Sequence, residues 1–464
     1  MRRLFPLGSF RITPGAQLFH HALDESFCAL HAGQNGLQIE CWLGRISAGW
    51  AIDSVLTHHN QRVCQQIQRY RQPAAFHAHH EFVLFQLVAA VFINAHSILV
   101  SMNVPKWPVS TEREMELLQE VLESDKWGGY HPFVPRLEQS FAAFQQSAYA
   151  LAAVNGTVTL EMALEALGIG PGDEVIVPAI SFVATASAVS RVGATPVFVD
   201  IEGDTFNIDP ECVERAVSND TKAIVVVHFG GPMADMDRLS KIGADHGLPL
   251  IEDAAHAAGS EWNGRRAGSI GIAGSFSFQN SKVMTAGEGG ILTTSDPVFL
   301  ERARSILDQG RKPDGGWFFH YELGTNYRMT ALQAAVLLAQ LERLPAQNAL
   351  RERNAQTIRK GVPNIRFQCV PRKASVHTNY LLLGRVPNRD AFQRAVAAEG
   401  VPCTPFYPHT LYRNPLYLRG GCLVTPCPVA EACVQDSFWL PHRALLGSED
   451  DAHEIACVLR NAVQ

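Results

Sequence analysis

The stretch GTVTLEMALEALGIGPGDEVIVPAISFVATASAVSRVGATPVFVDI, residues 156–201, decides the fold class of this chain. In it, helix-like segments that end at glycine (156–168 and 181–193) alternate with short apolar runs (173–180 and 196–201). Glycine commonly ends helices, and continuous apolar runs of this length are typical of strands covered on both faces. The alternation predicts a mainly parallel sheet with helices on both sides.

The same pattern continues towards the C-terminus. Further strands are predicted at 222–229, 249–253 and 274–278, with a helix at 234–247. These segments extend the predicted parallel sheet beyond the opening stretch.

A long helix is predicted at 330–362, with a break near Pro345 because proline interrupts helices. Beyond it, a strand at 378–386 and a helix at 388–400 indicate a smaller C-terminal α/β domain. The predicted fold class is therefore α/β, with a large mainly parallel-sheet domain and a smaller second domain.

The beginning of the chain has a different composition. Residues 1–105 contain no lysine and nine of the 18 histidines. An uncharged apolar stretch at 82–102 is almost long enough to span a bilayer, but it contains polar residues such as His96. We expect a poorly ordered leader that is not made in the cell because translation starts at Met102. An extra domain and a membrane anchor are the alternatives.

We accordingly expect three parts, a leader at 1–102, a large domain at 103–345 and a small domain at 346–464. Net charge is −6, from 39 basic and 45 acidic residues, and no basic run of the kind that binds nucleic acid is present. The ten cysteines are scattered, without CxxC pairs or metal-ligand spacing. These features predict a cytoplasmic protein with reduced thiols, no metal, no nucleic-acid partner and no membrane association.

Polar residues follow several predicted strands. Asp253 and His256 come after one strand, and Ser277 and Lys282 lie at or after another. The segment NGT at 155–157 opens a helix. Each residue alone also fits a structural role, as a cap, a packed histidine or a turn. Together they favour a ligand site, because ligands of open parallel sheets bind at the carboxyl ends of the strands.

Pyridoxal phosphate would use all of these residues together. It needs an amine that binds its aldehyde covalently and an acid that keeps its ring nitrogen protonated. Lys282, in a polar loop with few carboxylates, supplies the amine, and Asp253 supplies the acid.

The cofactor also needs a phosphate site and a surface for its ring. Gly156 and Thr157, at the positive end of a helix, together with Ser277 provide a phosphate cup. Phe182, at the start of the next helix, could stack on the ring, with packing in the core as the alternative.

Residues from about 107 to 464 resemble the sugar aminotransferases of the DegT/DnrJ/EryC1/StrS family. The matching segments follow the family's order and include PLIEDAAHAAG (249–259), GSFSFQNSKVMTAGEGG (274–290) and GTNYRMTALQAA (324–335). The tail SFWLPHRALLG (437–447) resembles in particular 3-amino-5-hydroxybenzoate synthases and glutamine-dependent amino-cyclitol aminotransferases.

The resemblance implies the type I fold of pyridoxal phosphate enzymes. It assigns Lys282 and Asp253 the roles given above. It also implies that Gly156, Thr157 and Ser277 bind the phosphate and that Phe182 stacks on the ring. His256, where many members carry glutamine, is expected near the phenolic oxygen of the cofactor. Asn326 matches a residue that reaches the phosphate of the neighbouring subunit, which implies a homodimer with shared sites.

The implied activity is a ping-pong transamination from glutamine or glutamate to a keto-sugar or keto-cyclitol, in secondary-metabolite or cell-surface sugar biosynthesis. An aromatising enzyme of the 3-amino-5-hydroxybenzoate synthase type and a non-catalytic regulatory protein are the alternatives. Arg311 and Arg328 are candidate anion-binding residues, with a surface role as the alternative. Trp107, Trp127 and residues 405–412 are expected to contribute to specificity.

Overall fold

The computed structural model describes residues 30–33, 36–39 and 104–463. The first two ranges are strands β1 (Leu30–Gly33) and β2 (Gly36–Ile39), which pair with each other antiparallel. The predictions for the leader at 1–102, including a start at Met102, otherwise lie outside the described residues.

From residue 104 onward the chain forms the following strands and helices. The strands are β3 (Tyr149–Ala153), β4 (Glu174–Pro178), β5 (Thr195–Val199), β6 (Thr221–Val227), β7 (Leu250–Asp253), β8 (Glu261–Trp262), β9 (Arg265–Arg266), β10 (Ala273–Ser277), β11 (Gly290–Thr294), β12 (Arg366–Phe367), β13 (Leu381–Arg385), β14 (Thr404–Pro405), β15 (Leu423–Val424) and β16 (Ser437–Pro441). The helices are α1 (Glu112–Glu123), α2 (Phe133–Phe144), α3 (Gly156–Ala166), α4 (Ala184–Arg191), α5 (Pro210–Ala216), α6 (Met236–His246), α7 (Pro297–Leu307), α8 (Ala331–Gly361), α9 (Arg389–Ala398), α10 (Pro428–Asp436) and α11 (Glu449–Ala462). Every strand and helix predicted between 156 and 278 overlaps one of these elements.

The central sheet has eight strands in the order β15-β5-β4-β6-β7-β10-β11-β3. The pairs from β15 to β10 are parallel, and β11 runs antiparallel to both of its neighbours. The predicted mainly parallel sheet is therefore confirmed. Edge strand β15 was not expected, since it comes from the C-terminal part of the chain and pairs with β5.

The central strands are buried on both faces, as their apolar runs predict. In β4, Val175 and Val177 pack in one hydrophobic cluster with Leu160 of α3, whereas Ile176 packs in the opposite cluster with Leu337 of α8. All three β4 residues are fully buried. Helices therefore cover both sides of the sheet, and only its edges and strand ends are open to ligands.

Helix α8 is continuous from Ala331 to Gly361 and contains Pro345, so the predicted break near that residue is wrong. A proline inside a helix costs about 3 kcal/mol. Packing on both sides of the proline offsets this cost, because Leu344 is buried in the core of the large sheet and Ile358 in a second core. The predicted domain boundary between 345 and 346 lies within this helix, and the division into two domains stays a prediction.

The second core belongs to a four-stranded antiparallel sheet in the order β12-β13-β16-β14. Leu382 of β13 and Phe438 of β16 pack there with helices α9 and α11. This is the smaller C-terminal α/β layer that the sequence predicts. Within residues 104–463 no helix has the length and apolar character needed to cross a membrane.

Candidate active site

The candidate residues gather where parallel strands of the central sheet end. Asp253 is the last residue of β7 and Ser277 the last of β10, and these two strands are neighbours. Lys282 lies in the loop between β10 and β11, residues 278–289, which we call the lysine loop. Helix α3 begins at Gly156, beside Ser277.

Asp253 is a buried carboxylate held by neutral donors. The Thr185 hydroxyl donates to Oδ2 at 2.7 Å, and the Ala255 N–H donates to Oδ1 at 3.3 Å. The hydroxyl of Ser181 lies 2.7 Å from that of Thr185. Burial raises the pKa of Asp253 above its usual value, and the Thr185 hydrogen bond and the charge of Lys282 oppose this rise.

The start of α3 packs directly against the end of β10. Asn155 caps the helix, its Oδ1 accepting a hydrogen bond of 3.0 Å from the N–H of Val158. A Cβ at Gly156 would lie 2.8 Å from that of Ser277 and 3.2 Å from the carbonyl oxygen of Phe276, so glycine is required. The free N–H groups of the first helical turn and the Ser277 hydroxyl therefore lie together, where they can bind an anion.

His256 is buried and neutral. Its Nδ1 accepts a hydrogen bond of 3.3 Å from the N–H of Gly230, which leaves the ring proton on Nε2. Burial, and secondly the charge of Lys282, lowers the pKa of His256 well below its usual value. The ring stacks on Tyr380 with 4.3 Å between the centroids. His256 is thus a hydrogen-bond donor at Nε2.

Lys282 is partly buried and carries its amine above an aromatic ring. Nζ lies 4.6 Å from the ring centroid of Tyr380. No carboxylate oxygen lies within 4.0 Å of this amine among residues 104–463. Sequence reasoning missed Tyr380, which is 98 positions further along the chain and reaches the site through the smaller sheet.

Phe182 and Asn326 both lie at the surface of the single chain. Phe182 precedes α4 and its residue surface is 58% exposed, so it does not pack in the core. Asn326 is exposed, and its Oδ1 accepts a hydrogen bond of 3.4 Å from the N–H of Arg328. Thr157 is partly buried in the first turn of α3. The chain by itself brings Asn326 into no hydrogen bond with Ser277 or Lys282 among the described residues.

Arg311 and Arg328 are not isolated surface residues. Both pair with Asp308, Arg311 Nη1 lying 3.1 Å from Oδ1, and both line a cleft of about 750 Å³ together with Tyr130 and Trp317. The Arg311 guanidinium lies 4.3 Å from the Trp317 ring centroid. The two guanidinium groups therefore contact one carboxylate, that of Asp308, and two aromatic rings, those of Trp317 and Tyr130.

The two candidate specificity tryptophans differ. The Trp107 indole donates to the carbonyl oxygen of Asn280 at 3.0 Å, so this residue supports the lysine loop. Trp127 is 54% exposed and donates to the Ser124 carbonyl oxygen at 3.1 Å.

His228, which also follows a strand, belongs to a separate buried pair. Its Nε2 lies 2.9 Å from Oε2 of Glu252, and both side chains are fully buried. Because consecutive residues of a strand point to opposite faces, the side chains of Glu252 and Asp253 lie on opposite sides of the sheet. The pair therefore lies next to the site and is not part of it.

Comparison with known proteins gives the same family along nearly the whole described region. Residues 108–459 match the sequence model of the DegT/DnrJ/EryC1/StrS aminotransferase family. The chain is 38% identical over 379 residues to 3-amino-5-hydroxybenzoate synthase of Amycolatopsis mediterranei (strain S699), covering 77% of this chain and 97% of that protein. It is 37% identical over 401 residues to the L-glutamine:2-deoxy-scyllo-inosose aminotransferase of Streptoalloteichus tenebrarius, covering 78% and 94%.

Solved structures agree. The crystal structure of 3-amino-5-hydroxybenzoic acid synthase matches with a TM-score of 0.75 at 37% identity, covering 78% of this chain and 98% of that one. The resemblance and the type I fold inferred from the sequence are thereby confirmed. The chain belongs to the DegT/DnrJ/EryC1/StrS aminotransferase family.

Proposed function

We propose that this aminotransferase uses pyridoxal phosphate to move an amino group from glutamine or glutamate to a ketone carbon of a sugar or cyclitol. The observation that carries the proposal is the meeting of an amine, a buried acid and a helix N-terminus at one sheet edge. These are Lys282, Asp253 and Gly156.

Asp253 fits the ring nitrogen of the cofactor. Within residues 104–463, no lysine, arginine or histidine nitrogen lies within 4.0 Å of its carboxylate. Its raised pKa reflects burial without a close cation. A protonated ring nitrogen at this position would supply the missing positive charge.

The start of α3 fits the phosphate. A side chain at Gly156 would clash with Ser277. Glycine at this position lets the backbone N–H groups of Gly156 and Thr157 lie next to the Ser277 hydroxyl, where an anion can bind. The positive end of the helix macrodipole favours the negative charge.

Each side chain then has a defined task. Pyridoxal phosphate supplies an aldehyde that binds amines covalently and a ring that accepts the electrons released at the neighbouring carbon. Asp253 holds a proton at the ring nitrogen, and Nζ of Lys282 removes the proton from the α-carbon of the amino donor. His256 donates Nε2–H to the phenolic oxygen. Phe182 covers the ring face.

Exposed apolar side chains support a homodimer. Phe318 is 85% exposed and Leu323 is 95% exposed, and Trp317, Phe319 and Tyr321 beside them are more than half exposed. Contiguous exposed apolar surface of this kind usually marks an interface. Asn326 lies three residues after this segment, where a second copy of the chain would bring it towards another site.

Two acceptor chemistries are carried forward. The relatives act, by their names, as an inosose aminotransferase and as 3-amino-5-hydroxybenzoate synthase, and their identities to this chain are 37% and 38%. Amination of a keto-sugar or keto-cyclitol is the main proposal, and the aromatising reaction is the second. Both reactions would use the same residues, so only assays with the two kinds of substrate distinguish them.

Free thiols support a reducing compartment. The seven cysteines in the described part of the chain are unpaired: Cys212, Cys369, Cys403, Cys422, Cys427, Cys433 and Cys457. We infer that the protein works in the cytoplasm, where thiols stay reduced.

Turnover of a substrate panel tests the proposal. Purified protein with pyridoxal phosphate is incubated with glutamine or glutamate and with pooled keto-sugars, keto-cyclitols and cyclic ketones that can be aromatised, and the products are read by mass spectrometry. We expect a yellow protein whose absorbance borohydride bleaches, with the cofactor fixed to Lys282.

Lys282→Ala should abolish product formation, and Lys222→Ala, at an exposed lysine, should leave it intact. A colourless protein, or a Lys282→Ala variant with normal turnover, would contradict the proposal. An aromatic product without simple aminated ketones would select the second candidate.

A further inference from the structure

Tyr380 lies at the centre of an aromatic stack beside the lysine loop. It precedes β13, is 9% exposed, and its ring is stacked with His256 at 4.3 Å and with His442 at 5.9 Å between centroids. The interplanar angles are 29° and 25°. Two histidine rings therefore pack against the tyrosine ring.

Tyr380 touches two successive residues of the lysine loop with two different groups. Its ring lies 4.6 Å from Nζ of Lys282, and its hydroxyl lies 2.9 Å from the hydroxyl of Ser281. An ammonium group at this distance from an aromatic ring is attracted by the ring's electron density. The hydroxyl contact is one of several that the loop makes next to that amine.

The backbone around Tyr380 is anchored independently of the site. The preceding residue, Asn379, has a φ of 45°, and its side chain donates to Glu352 at 2.7 Å and accepts from Arg359 at 2.9 Å. The N–H of His442 donates to the carbonyl oxygen of Tyr380 at 3.0 Å. Glu352 and Arg359 both belong to α8, so the long helix sets the position of the tyrosine.

The lysine loop is anchored from the other side. Three side chains donate to its backbone carbonyl oxygens: Trp107 to Asn280 at 3.0 Å, His442 to Ser281 at 3.0 Å and Arg351 to Val283 at 3.3 Å. Since these acceptors flank Lys282, they hold the backbone that carries the amine beside the ring of Tyr380. Both the lysine loop and the backbone of Tyr380 are thus held by contacts outside the amine itself.

We infer that Tyr380 is a positioning residue, whose ring face holds the Lys282 amine at the end of the sheet. The consequence for catalysis rests on the proposed function, because it concerns the amine that moves the proton. The contact itself concerns the chain alone and can be measured without cofactor.

The test is the acylation of Lys282 by acetic anhydride in the full chain freed of cofactor, read by mass spectrometry at pH 8. Exposed Lys222 in the same sample is the internal reference. Tyr380→Phe keeps the ring, and Tyr380→Met fills similar space without one. Because the ring face contacts and attracts the amine, loss of the ring should raise the relative rate about two- to thirtyfold in the methionine variant. The phenylalanine variant should stay within about twofold of the parent.

Equal rates in the methionine and phenylalanine variants would overturn the role of the ring. Near-UV circular dichroism and the thermal unfolding midpoint confirm that both variants fold. In the cofactor-loaded enzyme, turnover should fall in Tyr380→Met and be retained in Tyr380→Phe. If the acylation contrast is present but no cofactor binds to Lys282, the proposed function fails and the Tyr380 contact stands.

Discussion

The Thr185 hydroxyl donates a hydrogen bond of 2.7 Å to Oδ2 of Asp253, joining two residues that are 68 positions apart. Thr185 lies in α4 and Asp253 at the end of β7, and both are buried. Because the acceptor is a buried carboxylate, this bond both orients Asp253 and favours its charged form. The acid at the candidate ring-nitrogen position is therefore oriented by helix α4, which follows β4, a strand that does not pair with β7.

Thr185→Val should weaken pyridoxal phosphate binding about 10- to 100-fold, since a hydrogen bond to a charged group contributes about 1.5–3 kcal/mol. The shape of the side chain is kept, so the fold should be unchanged. Fluorescence titration of the cofactor-free protein measures the affinity. Thr185→Ser, which keeps the hydroxyl, is the control, and equal affinity in the valine and serine variants would count against this role.

Asp253→Asn should lower turnover on the order of 100-fold, because a neutral amide cannot hold the ring nitrogen protonated. The cofactor-free variant should be no less stable than the parent, since burial already disfavours the charged carboxylate. Steady-state rates and thermal unfolding measure the two effects. Asp220→Asn, at an exposed aspartate, should change neither. Undiminished turnover in Asp253→Asn would remove the acid from the mechanism.

The stability of the protein should fall as the pH drops from about 6.5 towards 5. Burial lowers the pKa values of His256 and His442 well below 6.5, so the unfolded chain binds protons in this range while the folded chain does not. The free energy of unfolding then decreases as pH falls, by about 1.4 kcal/mol per pH unit for each histidine. Urea unfolding midpoints at pH 7.5, 6.5 and 5.5 measure this slope.

His256→Gln keeps a hydrogen-bond acceptor for the N–H of Gly230. It should reduce the dependence of the unfolding free energy on pH by the contribution of one histidine, about 1.4 kcal/mol per pH unit. Burial raises the pKa of the carboxyls of Asp253 and Glu138, which acts in the opposite sense as pH falls, so the difference between His256→Gln and the parent isolates the histidine. Burial alone would raise the pKa of Glu114, but the hydrogen bond from Arg343 lowers it to about 2, so its contribution is lost only at more acid pH. A slope that is the same in His256→Gln as in the parent would show that this histidine is not held neutral.

Placing glutamates at Phe318 and Leu323 together should convert a homodimer into monomers. Both side chains are almost fully exposed in the single chain, and charge at the centre of an apolar interface is costly. Light scattering during gel filtration measures the mass. Leu122→Glu, at a 55% exposed leucine of α1, is the matched control. A parent protein that is monomeric, or a double variant that stays dimeric, would contradict the proposed interface.

Local sequence signals were enough for the fold and for the residues at strand ends. The buried run of β4 predicts a covered strand, and a strand followed by glycine-ended helices predicts parallel pairing. Asp253, Ser277 and Lys282 could be placed at one edge of the sheet because parallel strands end at the same edge, and their roles stay predictions. Signals of this kind depend on neighbours in the chain, which a sequence displays directly.

Tertiary structure alone decided which distant groups support those residues. Thr185 and Tyr380 reach Asp253 and Lys282 across 68 and 98 positions, and neither stands out by its spacing in the sequence. Pro345 shows the same limit, since its unfavourable effect on a helix is a local property, whereas the packing of α8 in two cores that overrides it is not. The free energy of burial and of charged hydrogen bonds depends on which groups the fold brings within a few ångströms, and residue order does not contain that distance.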